Sequence, residues 1–125
     1  MYKIMIECDE PWPAGEARHI ETRIAEEIPV SPVTAKRRAS GFLGMEVTMM
    51  ALAGDPILVL GNRAVWRVPA YFNYPKLGEV GTLGTVEIDA RSGEVISPSP
   101  EQVEAMQERA HAIASHLASP ATATG

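Results

Sequence analysis

Between Pro56 and Ile96 the chain carries three apolar runs parted by turn residues. Ile57 to Leu60 is continuously apolar and short, as a buried strand is. In the second run Trp66, Val68, Ala70 and Phe72 share one side, while Val65, Arg67, Pro69 and Tyr71 share the other. In the third, Val86, Ile88 and Ala90 alternate with Thr85, Glu87 and Asp89. Gly61-Asn62, the stretch from Pro75 to Gly84, and Arg91-Ser92-Gly93 separate or follow these runs. The pattern predicts an antiparallel meander with one dry face and one mostly wet face. Because strand side chains alternate with a period of two, a one-residue slip would turn Trp66 to solvent, so the register should be firmly set. Near the start, Tyr2, Ile4, Ile6 and Cys8 alternate with Lys3, Met5 and Glu7 and predict a further strand.

Elsewhere the apolar spacing changes to three and four residues. Ala17, Ile20, Ile24 and Ile28 predict a short amphipathic helix that Pro29 ends. Ser31-Pro32 supplies a capping hydroxyl and a proline pre-set for the first helical position. Behind it Ala35, Ala39, Phe42, Leu43, Val47 and Met50 form one stripe, predicting a second helix that Gly54-Asp55-Pro56 closes. Gly41 and Gly44 within it mark a close approach to the sheet or a kink. Ser99 and Gln102 stand at capping-box spacing around Pro100, and Val103, Met106, Ala110, Ile113, Ala114 and Leu117 make the buried stripe of a last helix, which Ser119-Pro120 stops. The expected fold is α+β: an antiparallel meander of three to four strands packed against helices, in the order β-α-α-β-β-β-α. Residues 1–119 are expected to form a single domain and residues 120–125 a disordered tail.

A length of 125 residues suffices for one core without disulfides or metal, and 46% hydrophobic with 22% charged residues is the composition of a globular domain. Sixteen acidic against eleven basic residues give a formal charge of −5, which works against nucleic acid or an anionic membrane as the main partner. The lone cysteine, Cys8, lies in an apolar run and is expected to be a buried structural thiol. No signal-peptide pattern and no membrane-length apolar run is read, so a cytoplasmic, membrane-free protein is expected.

Candidate chemistry is sparse. Gly78, Gly81 and Gly84 fall at three-residue spacing, but a phosphate cradle needs a helix start after it, and a strand follows. A flexible hairpin loop is the expectation. His111 and His116 lie five apart on the last helix, on different faces, and His19 with Glu16 reads as a surface pair, so no metal site is expected. Asp9-Glu10, Glu26-Glu27, Glu87 and Asp89 read as solvated carboxylates, and Lys36-Arg37-Arg38 as a solvated helix end. No nucleophile with its base is found, so no catalytic residue and no cofactor are assigned.

What remains is aromatic. Tyr71 and Tyr74 flank Asn73 and run into Pro75, and such rings are favoured in interfaces. Pro69, which cannot donate to a ladder, predicts a sheet edge or an interruption beside it. Pro69, Tyr71, Asn73 and Tyr74 are therefore the expected partner-binding residues.

Asp89-Ala90-Arg91-Ser92-Gly93-Glu94-Val95, with Trp66-Arg67-Val68 in the middle strand, resembles the PepSY-type arrangement of a helix followed by a small antiparallel sheet. Ala35-Lys36-Arg37-Arg38 after Ser31-Pro32, Trp66 to Pro69 and Gly84 to Asp89 are also similar to small uncharacterised prokaryotic proteins, some of them neighbours of PIN-type toxins. These likenesses imply a module that inhibits or regulates another protein. The expected function is a non-enzymatic interaction or regulatory module, antitoxin- or inhibitor-like, binding a protein partner or itself as a homo-oligomer. The rival is a small-molecule binder or small enzyme with a cleft between loops 9–15 and 78–84.

Overall fold

A computed structural model describes residues 3–6 and 28–118 of the chain. Its elements in order are β1 (Lys3–Ile6), α1 (Pro32–Glu46), β2 (Ala51–Ala53), β3 (Ile57–Leu60), β4 (Ala64–Tyr74), β5 (Gly78–Asp89), β6 (Val95–Ser97) and α2 (Pro100–Ala118). Among the described residues, two helices and one mixed six-stranded sheet make an α+β architecture. The expected helix over 16–28, Cys8, Trp12 and the C-terminal tail lie outside the described residues.

The sheet runs β1-β3-β4-β5-β6, with β2 also paired to β4. The meander β3-β4-β5 is antiparallel as the alternation predicts, and Leu58 faces Trp66, which faces Ile88. β1 joins β3 in parallel, pairing Lys3 to Ile57 through Ile6 to Leu60. Three expectations are corrected. The strand count rises to six because β2 and β6, three residues each, were not foreseen. The second helix stops at Glu46 rather than reaching Gly54: Val47 caps it, the Thr48 N–H returns to the Leu43 carbonyl at 2.9 Å, and the Thr48 hydroxyl accepts the Met50 N–H at 3.2 Å as the chain turns into β2. The stretch from Gly78 to Gly84 is strand rather than loop, since the turn after β4 needs only residues 75–77.

Two of the β5 glycines, Gly81 and Gly84, serve the packing of α2. A Cβ on Gly81 would stand 2.7 Å from Ile113 Cδ1, and one on Gly84 would stand 3.3 Å from Met106 Cγ. The bare strand thus lets α2 settle onto β5. In α1, by contrast, a Cβ on Gly41 or Gly44 would meet nothing within 4 Å, and the helix runs on through both. Neither the close approach nor the kink expected there exists.

Both helices start as their caps dictate. Ser31 Oγ accepts the Thr34 N–H at 3.1 Å with Pro32 in the first turn, and Ser99 and Gln102 exchange side chain-to-backbone bonds of 2.9 and 3.3 Å in a capping box. Ala35, Ala39 and Leu43 from α1 and Met106 and Ala110 from α2 join Trp66, Val68, Ala70, Phe72, Val86 and Ile88 in one core. Trp66 is 1% exposed, and its indole N–H donates to the Val30 carbonyl at 2.8 Å. The opposite face bears half-buried Arg67, Pro69, Tyr71 and Asn73 along β4. It is not wet throughout: Val59 and Val65, cross-strand partners in the interior of the sheet, are buried there. No helix among the described residues is long and apolar enough to cross a membrane.

Between β5 and β6 the Asp89 carboxylate accepts the N–H groups of Arg91 at 2.8 Å and Ser92 at 3.0 Å, and Gly93 turns the chain at φ +79. A side chain at Gly93 would be strained by that left-handed backbone. The residues that resemble the PepSY pattern are spent on closing this turn. The Ser92 and Arg91 N–H groups hold the Asp89 carboxyl below its ordinary value against a smaller opposing effect of burial, and the Arg63 guanidinium 3.7 Å away adds a lesser downward push. A depressed carboxyl stabilises the fold in full above its unfolded pKa, and that stabilisation is lost as pH falls through the lower folded value. Asp89→Asn should therefore be less stable than wild type at neutral pH, with the gap closing in acid. Parallel denaturant melts across acidic pH measure this, and a gap that stays constant would show that the charge does not matter.

Candidate functional site

The site begins with a proline inside a sheet. β4 is an interior strand, with β5 on one side and β3 and β2 on the other, so of the edge or interruption expected at Pro69 the structure has the interruption. β3 pairs with Ala64 to Arg67 and β2 with Ala70 to Phe72, leaving Pro69 opposite the Gly54-Asp55-Pro56 link. The Gly54 N–H donates to the Pro69 carbonyl at 2.8 Å. In an extended strand one residue's N–H and C=O point the same way, so the nitrogen of Pro69, which has no proton to give, also faces this link. The missing donor falls where the ladder breaks, which is why an interior strand tolerates it.

Local register then builds a hollow. Leu52 pairs with Tyr71 across β2 and β4, which places both on the face away from the helices, and Leu52 is 40% exposed. Gly54 lies under them: a Cβ there would stand 2.6 Å from Tyr71 Cε2 and 2.8 Å from Pro69 Cγ. The resulting cleft of about 490 Å3 has apolar walls from Leu52, Pro56, Ile57, Pro69 and Tyr71. Its polar rim is Lys36, Asp55 and Glu79, with Lys36 Nζ 3.8 Å from Asp55 Oδ1. That exposed pair contributes at most about 1 kcal/mol to stability. It does leave a cation and two carboxylates around a hollow whose walls carry apolar groups but whose exposed lining is more polar than apolar, an arrangement suited to a side chain with an apolar part set among polar neighbours.

The four residues expected to bind a partner do not all meet. Pro69 and Tyr71 line the cleft. Asn73 follows on the same face, with its N–H donated to the Met50 carbonyl at 2.8 Å, beside a register shift in the β4–β5 ladder. Tyr74 is on the other face, packed against the core. Leu52, Gly54 and Glu79 were not anticipated. The available signal was the combination of Pro69 with Gly54-Asp55-Pro56, since a proline inside a sheet requires a gap in its neighbour.

The rival cleft between loops 9–15 and 78–84 is corrected in its second wall, which is strand β5; its first lies outside the described residues. A second hollow of about 350 Å3 sits where β5 and β6 meet α2, lined by Arg67, Thr85, Ser97, Gln102 and Arg109 among others. Two of its polar groups are engaged: Arg67 Nε bonds Glu87 Oε2 at 3.1 Å, and Arg109 donates to the Leu83 carbonyl at 2.6 Å. Among the described residues no three His, Cys, Asp or Glu side chains gather as metal ligands, and His111 and His116 are both exposed on α2. No family model, curated protein or solved structure matches the chain.

Proposed function

We propose that the protein is a non-enzymatic interaction or regulatory module that holds an apolar side chain of a partner protein in the cleft over the β2–β3 break. The observation that carries this reading is the exposed Leu52 beside Tyr71 and Pro69 at an interruption in the sheet. Rigid aromatic and proline surfaces lose little entropy on binding, and a hollow of this kind is where a few contacts provide most of an interface's energy. Lys36, Asp55 and Glu79 at the rim supply polar contacts that fix orientation. An inhibitor- or antitoxin-like role is the regulatory form this would take.

The test starts by capturing a partner with tagged protein, followed by calorimetric titration of the purified pair. Tyr71→Ala should weaken binding by about tenfold or more, the loss typical of an interface anchor. Tyr74→Ala, placed on the core side, should lower stability and leave affinity near wild type. If folded Tyr71→Ala binds as wild type does, the cleft is not the interface.

A further inference from the structure

We propose that the segment seated over the cleft is basic as well as apolar: an extended stretch of the partner that carries a lysine or arginine two residues from the apolar side chain in the hollow. This rests on the cleft being the interface and names what the cleft selects. The rim is electrically lopsided. Lys36 and Asp55 offset each other at 3.8 Å, beside the point where the Gly54 N–H meets the Pro69 carbonyl. Glu79 stands at the other end, opposite Asn73 in the β4–β5 ladder and so on the same face as Asn73 and Tyr71. It is exposed, and among the described residues no group makes an ion pair or hydrogen bond with its carboxylate. One cation against two carboxylates leaves the rim at a net −1, of the same sign as the −5 of the whole chain.

Charge and spacing together define the occupant. A partner closing over the hollow takes water from the Glu79 carboxylate, and a charge desolvated without a counterion opposes binding. An acidic side chain there would add repulsion, whereas lysine or arginine supplies the missing counterion. In an extended segment every second side chain points the same way, and residues two apart are about 7 Å apart. Tyr71 and Asn73 have that same separation along β4. An apolar side chain held beside Tyr71 and Leu52 therefore brings the second residue on from it over the Asn73–Glu79 pair. Towards the Pro69 end the next inward-facing residue meets Lys36 and Asp55, which already neutralise each other, so the demand for a cation falls on one side of the anchor only.

Panning a displayed library of random short peptides against the full chain should return sequences with lysine or arginine two residues from a leucine, isoleucine or methionine, and with acidic residues rare beside it. A synthetic peptide of that pattern, titrated by calorimetry, should bind Glu79→Lys about tenfold or more weakly than wild type, with Glu79→Gln between the two. Replacing the peptide's basic residue by glutamate should reverse the order of wild type and Glu79→Lys, because the repulsive pairing has changed sides. Glu79 is exposed, so both variants should melt as wild type does. Tyr71→Ala should weaken every one of these peptides. Selected peptides without the charge preference, or an affinity indifferent to Glu79 yet lost in Tyr71→Ala, overturn the basic segment and leave the cleft as the interface. Peptides that bind Tyr71→Ala as they bind wild type overturn the cleft reading and this proposal with it, as does a library from which no binder emerges.

Discussion

Trp66→Ala is expected to cost about 3 to 5 kcal/mol of stability, the range for emptying a large aromatic site in a packed core. Trp66 is among the largest fully buried side chains, and it sits at the centre of the sheet between Leu58 and Ile88 on the helical face. Its removal leaves a cavity that strands on both sides and two helices cannot collapse into without moving. It also strips the Val30 carbonyl of the indole N–H at 2.8 Å. Trp66→Phe separates the two effects: most of the apolar volume stays, and the unsatisfied buried carbonyl alone should cost about 1 to 3 kcal/mol. Urea or guanidinium melts of both variants read these numbers. A loss below about 1 kcal/mol for alanine would mean that the site can collapse around the deletion.

Gly54→Ala is the second large effect and acts at the candidate site. The added methyl would stand 2.6 Å from a Tyr71 ring carbon and 2.8 Å from the Pro69 ring, both nearer than non-bonded carbons come. Neither neighbour is the loose end of a flexible chain, for a proline ring is fixed to its backbone and Tyr71 is in the β4 ladder. Overpacking of this sort costs about 1 to 3 kcal/mol. The same displacement should move Tyr71 out of the cleft and weaken partner binding together with stability. Gly41→Ala is the opposite control. It has open space around it in α1 and should stabilise the protein by up to about 1 kcal/mol through helix propensity alone. Denaturant melts of the two alanine variants should move apart in sign, and equal shifts would mean that the break between β2 and β3 opens without resistance.

The contrast between these glycines shows what sequence can and cannot say here. Period-two alternation around Trp66, Val68 and Phe72 fixed the meander and its buried face, because a strand's side chains have only two directions. Ser31-Pro32 and the Ser99–Gln102 pair announced their helices, because capping is local chemistry. β2 stayed hidden because Val47 and Met50 continue the helical stripe, while the turn itself is made by hydrogen bonds around Thr48. Gly78, Gly81 and Gly84 read as a loop, since the reason for the bare positions at Gly81 and Gly84 lies on α2, far along the chain. Of the site, Pro69 and Tyr71 were visible through what a proline forbids and an exposed ring offers. Tyr74 misled by proximity: three residues along a strand is an odd step, so it belongs to the opposite side. The parallel partner of β1 left no local trace at all.

That parallel pairing has a kinetic consequence. The ladders of β3, β4 and β5 close through short turns, so their contacts form at small cost in chain entropy. β1 must find β3 across the whole intervening segment that contains α1 and β2, and among the described residues its four residues have a partner on one side only. Contacts so distant in sequence are made late and released early, because loop-closure entropy is paid before they return anything. Amide protons of Met5 and its neighbours should thus exchange through a local opening well below the global unfolding energy, while those of Trp66 and Val68 should wait for complete unfolding. The N-terminal strand would then peel away as a unit and leave the meander and its two helices standing.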